Sequence, residues 1–412
     1  MSSPCGEVRL GIVATHPVQH FISLYRALAA VPGIELRVFY ASRMGLKPYF
    51  DAEMNRTLAW KMDLLSGYDH RFLDDIGAPG ADDPQAASPA AIAAALADFA
   101  PDAVIVYGYS LPLARDAARI ARKAGAKLLM IADSELRQFR SWPRRLLKRI
   151  VLPLIYRRID AFLTVGDENE AYYRHYGVSP RKLFRSPFPI DETAFRAARD
   201  RRSEHRAALR TRLGLPADAL VALFVGKLSQ RKRPGDLLDA AVLVNHGRNR
   251  IAAVFAGDGV LRAELQADAA RRSADAHFLG FINVDELPSI YAGSDLIVHP
   301  SQSDPHPLIC SEAACTGLPM ILSNRVGAEG RSDIAQRNVN AVVYPVGDRE
   351  ALAGALNKLA DNRALLKKMG RESHRIFDLL DIRRSVAGVV DALAFIGFPI
   401  TDERSSSGVA AG

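Results

Sequence analysis

Short apolar segments that alternate with helix-like segments constrain the fold of this 412-residue chain most strongly. Two such series follow each other, with predicted strands at residues 8–14, 35–40, 103–107, 127–131 and 161–165, then at 220–225, 251–256, 276–279, 296–298, 319–322 and 341–344. Alternation of this kind indicates βαβ units, because parallel strands need a crossover between them and are buried on both faces. The sequence therefore predicts an α/β protein with two doubly wound, Rossmann-like domains.

The two series meet in a charged helical run over residues 196–213, which ends in Gly214-Leu215-Pro216. We predict an N-terminal domain over residues 1–200 and a C-terminal domain over residues 214–379, because a chain of this length is too long for one core. Two such domains leave one obvious site. It is the cleft between them, where the carboxyl ends of the strands face each other.

Three further features lie outside the predicted cores. A helix over residues 380–398 is expected to pack back on the first domain, residues 74–89 predict a surface loop, and residues 401–412 predict a disordered tail. No run of 18 uncharged apolar residues occurs, so no membrane-spanning helix is expected. The N-terminus lacks the basic and apolar regions of a secretory signal, and three cysteines are too few for a disulfide framework. We expect a cytoplasmic protein.

The net charge of +8 is unevenly spread, since residues 137–158 carry eight arginine or lysine residues and no acidic residue. Apolar residues such as Trp142, Leu146 and Ile150 are interleaved with them. Two interpretations stay open: peripheral contact with an anionic membrane, at the inner face of the plasma membrane, or a surface helix whose apolar face packs on its own domain. Nucleic-acid binding is not expected, because no recognition motif accompanies the charge.

A cluster of cations follows the first strand of the second series. Gly226 ends the strand, and Lys227, Arg231, Lys232 and Arg233 come before the next predicted helix. A tight turn with positive charge before a helix N-terminus is a natural pyrophosphate site. We predict Lys227 and Lys232 as the phosphate ligands and place the two arginines in solvent.

Two glycine turns add main chain to the same edge of the sheet. Gly257 follows the strand at 251–256, where backbone can approach a ligand, although a plain β-to-α turn explains it equally well. Phe278 lies in the next strand. We expect its side chain in the core, while the backbone beside it pairs with a nucleobase edge.

The most specific signal is an acidic pair, Asp304 and Glu312, which follows an apolar strand with seven residues between. We predict that Glu312 begins a helix. Amides at a helix start attract phosphate, and a carboxylate beside them accepts hydrogen bonds from sugar hydroxyls, so the pair indicates a nucleotide-sugar site. A simpler interpretation of Glu312 alone is a first-turn acid that offsets the helix dipole.

Four motifs of the second half together resemble the retaining glycosyltransferase family 4 (glycosyl transferases group 1), in the family's order and spacing. They are Gly226-Lys227…Lys232, Gly257-Asp258-Gly259, Phe278-Leu279-Gly280-Phe281 and Asp304-x7-Glu312. The resemblance implies the GT-B fold of two Rossmann-like domains, transfer with retention of configuration, and no metal or other cofactor.

The resemblance also implies residue roles. Glu312 is expected to bind the donor ribose, and Lys227 and Lys232 the diphosphate, with help from the amides of Leu308 and Ile309. In the catalytic set we place both lysines and also Asp304, beside the donor sugar where the family usually has glutamate.

The N-terminal half resembles the same family less specifically. His16 lies in a Thr-His-Pro-Val-Gln-His turn after the first strand, as in one subgroup, and is a candidate to orient the acceptor; a capping or core role is the alternative. Asp133 and Glu135 follow the strand at 127–131, where relatives place an acceptor-facing residue. Of these, Asp133 is our candidate to accept the nucleophile's proton.

The predicted function is transfer of a sugar from a UDP- or GDP-linked donor to an acceptor hydroxyl of a glycan or lipid-linked glycan, in cell-surface glycan or glycolipid synthesis. One alternative is an epimerase or phosphorylase of the same architecture. Another is a non-catalytic protein that binds nucleotide sugars. Donor breakdown measured with and without acceptor distinguishes them, because an epimerase has no separate acceptor and a phosphorylase uses free phosphate.

Overall fold

The computed structural model describes residues 7–51, 53–54, 56–58, 60–73, 87–137, 142–247 and 250–400. Most of the predicted loop at residues 74–89, and all of the predicted tail at 401–412, lie outside the described residues. In the described part the chain forms two α/β domains, each on a parallel sheet, as the sequence predicts.

The N-terminal domain is built on a seven-stranded parallel sheet. Its elements are β1 Val8–Ala14, α1 Gln19–Ala29, β2 Ile34–Tyr40, β3 Tyr49–Asp51, β4 Arg56–Leu58, β5 Asp69–Phe72, α2 Pro89–Phe99, β6 Ala103–Tyr107, α3 Pro112–Lys123, β7 Lys127–Ala132, α4 Trp142–Tyr156, β8 Ala161–Thr164, α5 Asp167–His175 and β9 Leu183–Arg185. The sheet order is β5-β2-β1-β6-β7-β8-β9, and β3 and β4 form a separate antiparallel hairpin. In β1, Leu10 and Ile12 face one core and Val13 the other, as alternation along a strand requires.

The C-terminal domain is built on a six-stranded parallel sheet. Its elements are α6 Glu192–Asp200, α7 Arg202–Leu213, β10 Leu220–Val225, α8 Pro234–Asn245, β11 Ile251–Ala256, α9 Arg262–Arg271, β12 Ala276–Gly280, α10 Leu287–Gly293, β13 Leu296–His299, α11 Leu308–Cys315, β14 Met320–Ser323, β15 Ala341–Tyr344, α12 Arg349–Asp361 and α13 Arg363–Leu379. The sheet order is β12-β11-β10-β13-β14-β15. Strand order reverses beside β1 in one sheet and beside β10 in the other, and such switch points open crevices at the carboxyl ends of strands.

The chain crosses between the domains twice, and the two crossings touch. Ile190 and Phe195 already belong to the C-terminal core, so this core begins before residue 200. The last helix, α14 (Ile382–Phe395), places Leu393 in the N-terminal core. Glu192 at the first crossing accepts a hydrogen bond of 2.5 Å from the amide of Ile382 at the second. The two connections therefore form one joint between the domains.

Candidate active site

A cavity of about 620 Å³ lies between the two domains at the carboxyl ends of the C-terminal strands. Both domains line it, because α1 begins at its N-terminal wall and β10 and β11 end at its C-terminal wall. The lining includes Gln19, His20, Met54, Trp60 and Lys61 from the first domain and Gly226, Lys227, Gly257, Phe281, Leu308 and Glu312 from the second. The cavity therefore collects several of the residues that the sequence singles out.

Two glycines let the main chain close the floor of this cavity. A β-carbon on Gly257 would lie 1.9 Å from the carbonyl oxygen of Gly226, so no larger residue fits without moving a strand end. The amide of Gly257 donates to the carbonyl of Gly280 at 2.8 Å, and that of Gly226 to Ala256 at 3.1 Å. These two amides are engaged between strands. The two glycines therefore allow the strand ends to lie close together, but their amides are not available to donate hydrogen bonds to a ligand.

Glu312 lies in the second turn of α11, because the helix begins at Leu308. The prediction that Glu312 begins the helix is therefore wrong, and the first-turn dipole interpretation fails with it. The hydroxyl of Tyr291 donates to Oε2 of Glu312 at 2.5 Å. Burial raises the pKa of Glu312 to about 7, although the hydrogen bond from Tyr291 acts in the opposite direction. A carboxylate held on one oxygen at the cavity wall is suited to accept hydrogen bonds from hydroxyl groups.

The start of α11 is a feature of the cavity that attracts anions. Pro307 precedes the helix and provides no side-chain cap, so the amides of Leu308 and Ile309 have no capping side chain. Leu308 also lines the cavity. Uncapped amides at a helix N-terminus attract phosphate oxygens, which agrees with the role implied for both residues.

Lys232, Asp304 and His299 form a cluster at the carboxyl ends of β10 and β13, where Asp304 and His299 are buried and Lys232 is half-buried. Oδ2 of Asp304 contacts the ammonium group of Lys232 and accepts from Nε2 of His299, the latter at 2.7 Å. Burial alone would raise the pKa of Asp304, but His299 and Lys232 outweigh it and hold that pKa well below its ordinary value. Burial also lowers the pKa of His299, so this imidazole donates as a neutral group. Asp304 is thus a permanent anion that anchors Lys232.

Lys227 faces the other domain. Its ammonium group donates to Asp51 Oδ2 at 2.9 Å and to Glu53 Oε2 at 2.8 Å, both in or next to the β3–β4 hairpin. Burial opposes the charge of Lys227, but these two partners outweigh it and raise its pKa. Lys227, which the sequence predicts to bind diphosphate, is therefore paired with two carboxylates, and the sequence did not indicate either of them.

The same hairpin makes further contacts across the cleft. The guanidinium carbon of Arg56 lies 4.9 Å from the ring centroid of Phe281, and Nη1 of Arg56 lies 3.4 Å from Oδ2 of Asp258. Trp60 packs on Phe281 with 6.2 Å between ring centroids. The aromatic side chain at the cavity is Phe281, whereas Phe278 stacks on Phe255 in the core at 4.8 Å, as expected for its side chain.

Of the two histidines near the turn between β1 and α1, His20 lines the cavity and His16 does not. His16 is within 3.0 Å of the Thr15 hydroxyl through Nδ1, and burial lowers its pKa. His20, in the first turn of α1, lines the cavity, and burial lowers its pKa to about 4. Both side chains are therefore neutral at pH 7. The Thr-His-Pro-Val-Gln-His motif therefore contained the cavity-lining histidine, but it is His20 and not His16. The signal available in the sequence was that His20 lies four residues further on, at the predicted start of the helix.

Asp133 lies on the N-terminal side of the cleft, within electrostatic reach of the C-terminal domain. Burial raises its pKa, and the negative charge of Asp304 adds to the rise, while His306 acts in the opposite direction. Nearby, Nη2 of Arg137 donates to Glu329 of the other domain at 3.1 Å. The fold thus brings the predicted acceptor-side and donor-side carboxylates, Asp133 and Asp304, toward each other.

Among the described residues, no group of three or more His, Cys, Asp or Glu side chains is arranged to hold a metal ion. The cations among the described residues that line the cavity are Lys61 and Lys227, and the uncapped start of α11 lies at the same cavity.

Comparison with known proteins agrees with this arrangement. Residues 205–375 match the family described as glycosyl transferases group 1. A D-inositol 3-phosphate glycosyltransferase of Streptomyces bingchenggensis is 28% identical over 240 residues, which cover 55% of this chain and 51% of that protein. The chain thus spans about half the length of this curated relative. All four motifs lie within the matched residues 205–375, so the resemblance inferred from them is confirmed.

Solved structures share the fold across both domains. Alr3699/HepE of Anabaena, crystallised with UDP, has a TM-score of 0.69 at 16% identity and covers 94% of this chain and 99% of its own. WaaG, a glycosyltransferase involved in lipopolysaccharide biosynthesis, has a TM-score of 0.61 at 16% identity, with coverage of 94% and 100%. This likeness extends over both domains, so the predicted GT-B fold of two Rossmann-like domains is confirmed.

Proposed function

We propose that this protein is a retaining glycosyltransferase that moves a sugar from a nucleoside-diphosphate sugar to an acceptor hydroxyl. The observation that carries the proposal is the interdomain cavity, where Glu312 and the uncapped start of α11 face the Lys227 side chain. The family match over residues 205–375 supports the reaction class. The UDP complex of HepE, on the same fold, makes UDP the first nucleotide to test.

The donor is proposed to lie along the C-terminal wall. Glu312 accepts hydrogen bonds from the ribose hydroxyls, and the amides of Leu308 and Ile309 bind the diphosphate. Lys232 neutralises the same phosphates, held in place by Asp304. Lys227 joins them once it leaves its carboxylate partners. Charge-assisted contacts of this kind are the stronger hydrogen bonds in proteins, so they give the diphosphate a fixed position.

In the proposed reaction, the bond between the sugar's anomeric carbon and the diphosphate oxygen breaks while the acceptor oxygen bonds to that carbon from the same face. The acceptor proton passes to the departing diphosphate. Negative charge grows on the diphosphate in the transition state, where Lys232 and the start of α11 stabilise it. This stabilisation is the main catalytic contribution of the chain.

The N-terminal wall is proposed to hold the acceptor. Asp133 and Glu135 follow β7 on the N-terminal side of the cleft, and burial raises the pKa of each. A carboxyl group at this position is suited to accept a hydrogen bond from a hydroxyl nucleophile and so to orient it, while the proton passes to the diphosphate. We propose a glycan or a lipid-linked glycan as the acceptor.

The lysines and the helix start provide positive charge for the diphosphate without a metal ion. We therefore propose that donor binding and transfer need no divalent metal. Donor turnover measured with and without a chelator tests this point, and loss of turnover that magnesium or manganese restores would contradict it.

A thermal-shift panel of nucleoside diphosphates and their sugars tests the donor assignment. A ligand at about 100 times its dissociation constant adds ~2.7 kcal/mol to the free energy of unfolding, which a melting curve resolves. We expect UDP or GDP to stabilise the protein, and Glu312→Gln to remove about half of that stabilisation or more. If no nucleoside diphosphate raises the melting temperature, the proposal fails. An epimerase would convert the donor sugar without acceptor, which product analysis detects.

A further inference from the structure

Helix α4 exposes its apolar side chains to solvent. Seven of the twelve exposed large apolar side chains among the described residues lie between Leu136 and Leu154. Trp142 is 68% exposed and Ile150 60%. Only Leu152 and Tyr156 of the helix are buried. Of the two interpretations left open by the sequence, packing of the apolar face on its own domain is therefore wrong.

The exposed side chains form one continuous face. At 3.6 residues per turn, positions four apart share a face, and the buried Leu152 and Tyr156 point in the opposite direction. Arg144 borders the apolar face on one side and Arg149 on the other. Arg145, seven positions before Leu152, lies on the side of that buried residue but is exposed near the start of the helix. The members of the apolar face are Trp142, Leu146, Leu147, Ile150 and Leu154.

Positive charge continues from α4 onto the neighbouring helix. Nη1 of Arg122, in α3, donates to the carbonyl of Arg158 just beyond α4 at 2.9 Å. Asp116 is the one acidic residue of α3 and α4, and it pairs with Arg119 at 2.9 Å. The exposed cations of α3 are Arg115, Arg119, Arg122 and Lys123. The exposed cations of α3 thus adjoin the C-terminal end of α4.

We propose that α4 docks the protein on the surface of an anionic lipid bilayer, with its apolar face among the acyl chains and its arginines among the headgroups. Among the described residues no helix is long and apolar enough to span a bilayer. A helix with an apolar face between basic flanks lies in the interface plane instead. A second copy of the chain fits less well, because a two-fold contact through α4 would bring two rows of arginines together.

The docking face adjoins the proposed acceptor wall, which ties it to the proposed function. A groove of about 460 Å³ between α4 and α5 is lined by Trp142, Leu146 and His175, and also by Glu135 next to the cleft. A protein docked through α4 therefore holds this edge of the cleft at the lipid surface. This part of the inference rests on the proposed transfer reaction and names its acceptor as one carried by a lipid.

Co-sedimentation with vesicles tests the docking itself and needs no nucleotide. The probes are vesicles of phosphatidylcholine alone and vesicles that contain about one-third phosphatidylglycerol. We expect binding to the anionic vesicles only, weakened by high salt. The triple variants Leu146→Ser/Ile150→Ser/Leu154→Ser and Arg144→Gln/Arg145→Gln/Arg149→Gln should each bind roughly tenfold more weakly or worse.

A matched control removes the same charge elsewhere. Lys367→Gln/Lys368→Gln/Arg371→Gln changes exposed cations of α13, and we expect unchanged vesicle binding. The proposal is overturned if the unaltered protein stays in the supernatant with anionic vesicles at low salt. It is also overturned if the α13 variant loses binding as much as the α4 variants, or if the serine variant only converts a dimer to a monomer. A melting temperature close to that of the unaltered protein, measured without nucleotide, shows that the α4 variants are folded. Failure of docking then leaves the proposed transfer reaction untouched.

Discussion

Lys227 of the C-terminal domain donates a hydrogen bond of 2.9 Å to Asp51 of the N-terminal domain, across the mouth of the proposed donor site. Glu53 binds the same ammonium group at 2.8 Å. Since the proposed diphosphate ligand is occupied by carboxylates, a donor has to displace them to bind. The ion pair therefore couples the position of the β3–β4 hairpin to occupation of the site.

Removal of the competing carboxylates should strengthen binding of the nucleotide. We predict that Asp51→Asn/Glu53→Gln binds UDP roughly two- to fivefold more tightly, the range expected from a partly exposed ion pair. Isothermal titration measures the change. Asp69→Asn is the control, because it breaks a 2.6 Å ion pair with Arg37 on the same domain. Weaker binding in the double variant would show that the hairpin positions Lys227 and does not compete for it.

Lys232 is predicted to act mainly on the departing diphosphate. Lys232→Gln keeps a donor for Asp304 but removes the charge, and we expect about 2–4 kcal/mol less transition-state stabilisation, or a decrease of about 30-fold to 10³-fold in kcat. Release of nucleoside diphosphate at saturating donor measures it, with Lys367→Gln on α13 as the control. Unchanged kcat would remove Lys232 from the catalytic set.

Burial of Glu312 should make stability depend on pH. Its pKa is raised from 4.5 to about 7 in the folded protein, so between these values the folded state binds more protons than the unfolded state. The free energy of unfolding then falls as pH rises from about 5 to 7, by up to about 3 kcal/mol. Denaturant unfolding at pH 5 and pH 8 should show this loss, and Glu312→Gln should reduce it. An equal loss in both proteins would contradict the assignment.

The close approach of Gly257 to Gly226 predicts a strict size limit. Gly257→Ala should cost about 1–3 kcal/mol of stability or shift the strand ends, and either change should weaken UDP binding. Gly354→Ala in α12 is the control, since no atom lies within 4 Å of its added β-carbon and alanine favours a helix interior by about 0.5–1 kcal/mol. Thermal melting with and without UDP compares the two. A Gly257→Ala protein that binds UDP normally would refute the limit.

The strands and the donor side of the site were predictable because their signals are local. Residues 220–225 are a continuous apolar run, and β10 occupies the same six residues. The helix start at Leu308 lies within the predicted motif. A continuous helical run was expected at residues 196–213, but the structure has two helices there that meet at Arg201. Periodicity alone does not show where a chain turns from one core to the next.

Contacts between segments that are distant along the chain could not be predicted from the sequence. Lys227 meets Asp51 although 176 positions separate them, and neither hairpin strand has more than three residues. Tyr291 lies in a seven-residue helix, and nothing local indicates that its hydroxyl reaches Glu312. The sequence of α4 is equally compatible with apolar residues in the core and on the surface, and only the fold shows that most of them are exposed. Such pairings depend on tertiary structure, which a single sequence does not display.

The central claim is that the interdomain cavity binds a nucleoside diphosphate through Glu312, and titration calorimetry tests it most directly. UDP and GDP are titrated into the unaltered protein and into Glu312→Gln at pH 8, where the carboxylate is charged. We predict that at least one nucleotide binds the unaltered protein with one site per chain, and that Glu312→Gln weakens it about tenfold or more. Equal affinity in the two proteins, or no binding of either nucleotide, would contradict the account.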